Sequence, residues 1–344
     1  MDSIHDVLKH FELESRIVTQ HLCEQTVVKI VKNQNVTLEN VIMKTNEKLG
    51  GTNFTLKTSN SFARANPKIA HILENDWLAG RLFIGIDLSH GAAGASGEKT
   101  PTVVGLCYNY NEKLSMTGGW IFQEPRQTIV QSLEKTVHRA ILDYKQRSER
   151  KAWPTHIVVY RAGVSDGEFC HVTAVEKRGF KRAVAAIRET NADFNPGFTM
   201  LICQRSNTLM FPAQQPTRGG LSDADKNFVL VPHKGIIGTA RPTVYSVVVD
   251  EAPGGRRLER AELHDSTFAL CHLHGGVLGT VSRPAFLYHA GALAKRGRNN
   301  YKMDHSVDDA ATVSSGHSER EPPPGFHEDL TRRLAATLNT KFWC

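Results

Sequence analysis

The chain has 344 residues, with 42 Lys and Arg against 35 Asp and Glu, a formal net charge of +7 and a pI of about 9.1. That length carries one large core or two smaller ones, and the apolar and charged fractions are those of an ordinary globular protein. No apolar run reaches the roughly 18 residues of a membrane span. The acidic N-terminus has no signal-peptide core, and six scattered cysteines without a Cys-x-x-Cys fit reduced thiols rather than a disulfide scaffold. The basic balance favours a polyanionic partner, and the cations cluster at Lys44/Lys48, Lys177–Arg182, Arg256–Arg260 and Lys295–Arg298.

In chain order, Ile4, Val7, Leu8 and Phe11 recur at helical spacing and predict a helix over 2–12, with His5 and Lys9 four apart on one face. Thr26–Val31 is β-branched and reads as a short strand. Thr37 caps a second expected helix, with Leu38, Val41 and Ile42 on its apolar face and Gly50-Gly51 as its stop. Lys44 and Lys48 share one face of it. By spacing alone, the commonest reading of such a pair is a solvated lysine face. Residues 53–80 are a polar connector.

Leu82–His90 is an apolar strand broken by Asp87, which either caps the strand end or serves a cation. Thr102–Tyr110 and Leu114–Phe122 are two further strands, Arg126–Arg147 a long helix, and Ile157–Tyr160 a buried strand ending at a glycine turn. Glu176–Thr190 reads as a helix, Phe198–Gln204 as a strand, Ser206–Gly220 as a loop and Thr243–Val249 as a strand. Arg256–His274 and Ala285–Arg296 are predicted helices, the second opened by Pro284. Arg296–Pro324 is polar and charged and is expected to be mobile. Asp329–Asn339 is a last helix before the apolar Phe342-Trp343-Cys344. Cys271-His272-Leu273-His274 lacks a cysteine pair at zinc spacing and reads as structural.

Several of these stretches resemble one family. Tyr160-Arg161-Ala162-Gly163-Val164-Ser165-Asp166-Gly167-Glu168-Phe169 is similar to a signature of the Piwi domain of Argonaute proteins, and His233–Pro242 to a second. Gln204–Phe211 matches a third. Thr19-Gln20 followed by Met43–Gly51 looks like the C-terminal half of the MID domain that precedes Piwi. The resemblance implies an α/β fold: an RNase H-like Piwi domain, a mixed sheet flanked by helices, over residues 80–344. Part of a Rossmann-like MID domain is expected over residues 1–75. The first MID strands and the N-terminal and PAZ domains are not matched, which fits a fragment or a short form.

By the same resemblance, Lys9, Gln20, Lys44 and Lys48 match ligands of a guide RNA 5′ phosphate. His5 falls where most members place a tyrosine that stacks on the first base. Piwi-side arginines align near Ala294, whose neighbours Lys295 and Arg296 are expected among the RNA-binding residues, and the family's hydrophobic C-terminal tail tucks near the guide site. Amines and an amide converging on one phosphate give charge-assisted hydrogen bonds without base discrimination.

The family's nuclease site holds two magnesium ions on three carboxylates and a fourth ligand. Asp87 takes the first place and His289 the fourth. Thr128 and Ala162 stand where carboxylates are expected. An alanine offers no oxygen, and the ligand charge falls from about −3 to −1 against two divalent ions. Asp166 and Glu124 are the nearest substitutes. The expectation is a catalytically inactive, small-RNA-guided silencing protein. The alternatives are a guided endoribonuclease using substitute carboxylates, or a fragment that does not load. The altered pocket and degenerate metal site resemble the worm-specific Argonautes associated with 5′-triphosphate guides. Expected partners are a guide RNA, a complementary target RNA and silencing effector proteins, with no membrane. No cofactor is expected beyond a magnesium ion accompanying the guide phosphate. The expected compartment is the cytoplasm, with cytoplasmic granules or the nucleus as alternatives.

Overall fold

The computed structural model describes residues 3–56, 79–91, 100–205, 227–253 (except 234 and 236–238), 255–310 and 341–343. Seven strands form one sheet in the order β3-β2-β1-β4-β5-β7-β6: β1 Arg81–Ser89, β2 Thr102–Asn109, β3 Met116–Gln123, β4 His156–Ala162, β5 Gly197–Arg205, β6 Phe228–Leu230 and β7 Thr243–Glu251. β1, β4 and β5 are parallel neighbours; the other pairings are antiparallel. The register sets Ile86 opposite Arg161, so Asp87, near the end of β1, lies beside Ala162, the last residue of β4.

Alternation sends side chains to two cores. Leu82, Ile84 and Ile86 of β1 join Ile157 and Val159 of β4 beneath α4 (Leu133–Arg147) and α5 (Phe169–Arg188). Phe83, Val158 and Tyr160 face the other layer, made by α6 (Arg260–Leu270) and α7 (Ala285–Ala310). Before the sheet come α1 (Ser3–Ser15), α2 (Glu24–Val31) and α3 (Asn35–Lys48).

The phase of α7 is set by two glycines beneath it. A Cβ on Gly85 would meet the Phe286 carbonyl at 2.5 Å, and one on Gly105 the Ala290 oxygen at 2.0 Å. The helix therefore lies directly on the sheet backbone along its 286/290/294 stripe. Phe286, Leu287 and Leu293 are fully buried there, each burial contributing about 1.5–3 kcal/mol. One flank of α7 then faces α1 and α3; the other faces the end of β1.

Several expected elements are corrected. Thr26–Val31 is helical, not a strand. No strand lies within reach among the described residues 3–56, and an isolated strand would leave its backbone groups unpaired, whereas a helix satisfies them internally. α3 starts at Asn35, with no side-chain cap from Thr37. Residues 126–132 are not helical; Arg126 takes a positive φ of 59° in a turn. α5 begins at Phe169, seven residues early, behind a Ser165/Glu168 capping box. α6 is shorter than expected and opens on a Glu259/Glu262 box. β6 was missed, and the helix expected to end at Arg296 runs on to Ala310. The expected loop 206–220 and helix 329–339 lie outside the described residues. No helix among those described is long and apolar enough to cross a membrane.

Candidate nucleic-acid interface

Four elements bring buried charge to one point. α1 supplies Lys9 and Glu12, the following loop Thr19 and Gln20, α3 its last-turn Lys48, and α7 Arg296. Lys9, Lys48 and Arg296 are only 5%, 3% and 6% exposed. Lys48 Nζ donates to the Thr19 carbonyl at 2.9 Å, and Lys9 Nζ reaches the same oxygen at 3.4 Å. Lys9 also donates to Glu12 Oε1 at 2.8 Å, and Arg296 donates to Glu12 Oε2 and to the Lys9 carbonyl. The Thr19 amide and hydroxyl both donate to Glu12 Oε1 at 2.6 Å.

Lys9 and Arg296 thus bond the Glu12 carboxylate, with Lys48 beside them. Burial pushes the Lys48 ammonium down to about 7, and the nearby Lys9 adds to the shift. Burial likewise lowers Lys9, with Arg296 acting in the same direction. An anion brought here would relieve both. Glu12 is already occupied by its four donors.

The other expected pocket residues fall around this centre. Lys44 is exposed at the rim, near enough to Lys48 to depress it further. Gln20 donates to the His21 carbonyl at 3.0 Å, while its Oε1 is buried without a partner among the described residues. The His5 ring lies 5.4 Å from that of His21, with their Nδ1 atoms 3.2 Å apart; His21 was not anticipated. Lys295 is not in the pocket. It is exposed on the opposite flank of α7, where its charge acts on Asp87.

His289 is not at Asp87 either. It is buried on the α1/α3 flank, its Nε2 3.3 Å from Glu47 Oε1 and its ring stacked on His274 at 5.2 Å. Lys341 Nζ lies 3.2 Å from the same Glu47 oxygen. Burial opposes ionisation of Glu47, but His289 and Lys341 together hold it down to about 2. Burial lowers both histidines, His274 to about 4. The apolar tail closes this region, as expected: Phe342 packs edge-on against Trp120 at 6.2 Å and Trp343 against His289 at 6.5 Å.

At the end of β1, Asp87 faces Gly291 of α7. A Cβ on Gly291 would stand 2.8 Å from Asp87 Oδ2, so position 291, not 289, is the helix position over the carboxylate. Ala162 beside it has no oxygen to offer. The Thr128 hydroxyl donates to Glu168 Oε1 at 2.7 Å, and its carbonyl accepts from Arg161. Arg161 is fully buried and pairs with Glu176 through Nε at 3.1 and 3.0 Å. Burial raises Asp87, against the opposing pull of Arg283, whose Nη1 lies 3.6 Å from Asp87 Oδ2.

Neither anticipated substitute carboxylate joins Asp87. Asp166 accepts from Gln204 at 2.8 Å, and Glu124 is exposed in the turn before Thr128. The carboxylate that does reach Thr128 is Glu168, held near 2 by its bonds from Ser165 and Thr128. These donors do not fit a paired magnesium site. Among the described residues no three His, Cys, Asp or Glu groups converge as a metal cluster, Cys271-His272-Leu273-His274 included. Two other basic clusters are offset: Lys177 and Lys181 pair with Glu251, and Arg256 with Glu259 and Glu262.

Comparison with known proteins places these features in context. The Piwi domain family matches residues 1–302. The Nuclear RNAi defective-3 protein of Caenorhabditis elegans is 28% identical over 95% of this chain and 32% of its own length. The Argonaute protein wago-4 of the same organism is 27% identical over 92% of this chain and 35% of its own. The chain therefore spans about a third of the length of these relatives. Among solved structures, the C-terminal lobe of a budding yeast Argonaute superposes with a TM-score of 0.76 at 19% identity, covering 99% of this chain and 67% of that one. Kluyveromyces polysporus Argonaute with a guide RNA gives 0.75 at 18% identity, covering 99% and 40%.

Proposed function

The chain belongs to the Piwi-domain family of Argonaute proteins, and on that premise we propose that it holds a small guide RNA by its 5′ phosphate and pairs it with a target without cutting. In this reading residues 1–75 form the guide-end portion and residues 80–344 the Piwi portion. The observation that carries it is the buried trio Lys9, Lys48 and Arg296 gathered beside Glu12. A terminal phosphate would add charge-assisted hydrogen bonds to these cations while leaving the bases free to pair. His5 and His21 form a stacking surface beside it for the first base.

Absence of cleavage is supported by the ligand set around Asp87. In-line hydrolysis by two metals needs several hard oxygens converging within about 2 Å of each ion, and Ala162, Gly291 and the occupied Thr128 hydroxyl do not supply them. The solved guide-RNA complex and the RNAi-named relative support the substrate class and a role in silencing, with effector proteins recruited to the paired target. That relative's name also favours a nuclear site of action over the expected cytoplasm.

The test has two parts. RNA that co-purifies with the protein is sequenced and its 5′ chemistry determined; a discrete small-RNA population lost in K48M supports the reading, and RNA of random length retained by K48M refutes it. Guide-loaded protein is then incubated with a complementary labelled RNA and magnesium. Site-specific cleavage abolished by D87A would refute the non-cleaving part.

A further inference from the structure

The carboxylate of Asp87 has acquired a partner that the sequence did not announce. Arg283, in the turn entering α7, approaches it at 3.6 Å, with its guanidinium carbon 5.2 Å from the centre of the Tyr288 ring. The side chain is 18% exposed. Its hydrogen bonding is incomplete: 3.6 Å is an ion-pair distance rather than a hydrogen bond, and Nε has no partner among the described residues. A guanidinium has five N–H donors in a planar fork matched to oxyanions. Lys295 stands on the same flank of α7, one turn after Gly291, exposed and close enough to act on Asp87. Arg161 is nearby, but Glu176 consumes its charge.

We propose that Arg283 replaces the metal here: it neutralises Asp87 permanently and, with Lys295, holds a backbone phosphate of the bound RNA, so this contact needs no divalent cation. The proposal rests on the RNA-binding reading above. A guanidinium reproduces one task of the ion pair, holding an oxyanion bidentately. It cannot lower the pKa of a bound water to make a nucleophile, as a divalent ion does. The slot then grips without reacting. A backbone phosphate is favoured over a free one because Arg283 and Asp87 keep part of their surface exposed and the second cation, Lys295, is itself exposed.

Guide-loaded wild type, R283M and R283K are prepared, with guide content and melting temperature measured for each. Affinity for a complementary RNA is then measured with magnesium and with EDTA. It is measured again for target and guide strands carrying a single neutral methylphosphonate at successive central positions. The expected result is equal wild-type affinity in both buffers, and one position whose neutralisation weakens wild type by about tenfold but leaves R283M unchanged. R283K is expected to fall between them. A loss of tenfold or more in EDTA, or no position that distinguishes wild type from R283M, overturns the proposal. Inorganic phosphate that abolishes the Arg283-dependent difference when no methylphosphonate position does so assigns the slot to free phosphate and also overturns it. Failure of wild type to carry guide, read from guide content, instead removes the underlying reading, and the proposal falls with it.

Discussion

Replacing Glu12 by glutamine removes the carboxylate that Lys9 and Arg296 bond. Its four incoming bonds, from Lys9, the Thr19 amide and hydroxyl, and Arg296, meet only one acceptor oxygen in E12Q. Breaking a buried pair from one side costs about 3–5 kcal/mol. At an unfolding entropy of about 2.1 cal/mol/K per residue, a chain of this length loses about 4–7 °C of melting temperature. Because Lys48 sits at about 7, it can release its proton when Glu12 is gone, so the loss should be smaller at pH 8.5 than at pH 6.5. Affinity for a terminal phosphate should move the other way, since the competing carboxylate has been removed. Thermal unfolding with 5′-phosphorylated and 5′-hydroxyl RNA reads both effects. E12Q should gain more stability than wild type from the phosphorylated strand and no more than wild type from the hydroxyl strand. An unliganded melting temperature within about 1 °C of wild type, or equal gains from both strands, would refute the reasoning.

Retention of 5′-phosphorylated RNA by wild type should weaken as pH rises through about 7, where Lys48 loses its proton, and K48M should be weak and flat across that range; filter binding measures it. Without RNA the same depressed lysine gives the opposite sign: the unfolded chain binds more protons between about 7 and its ordinary value near 10.4, so this contribution to stability rises with pH there. Glu47, held at about 2, contributes stability that is fully present above its unfolded value near 4.3 and is lost as pH falls toward 2; E47Q should flatten denaturant midpoints across that acid window. G105A should cost more than about 3 kcal/mol or yield no soluble protein, because its Cβ would meet the Ala290 oxygen at 2.0 Å, while G167A, with nothing within 4 Å, serves as a neutral control.

The sheet was legible because its strands are apolar, β-branched runs with clear stops, as Ile157–Tyr160 and Thr243–Val249 illustrate. The start of α5 was also written in the sequence, as Ser165 three before Glu168, a capping box read only as part of a longer signature. The α2 segment misled because β-branching is a weak preference that pairing opportunities override. The cationic pocket was half legible. Lys9, Lys48 and Arg296 came from spacing and resemblance, but Glu12 is one of several acidic residues in α1 and lies 284 positions from Arg296, so nothing local marks their pairing. Helix phase explains the error over His289. Residues 289 and 291 lie about 200° apart around a helix, and only the contacts of Gly85 and Gly105 with α7 decide which of them meets Asp87.

The bare position at Gly291 bears on how this protein could change over time. Any side chain there must first displace the Asp87 carboxylate, which the Leu88 amide fixes at 2.9 Å and Arg283 attends. Ala162, Thr128 and Arg283 would each need replacement as well. Any one of those steps taken alone disturbs packed or paired groups and restores no ligand set. On the non-cleaving reading proposed above, restoring a nuclease site would take several substitutions together, so such a change would behave as a ratchet.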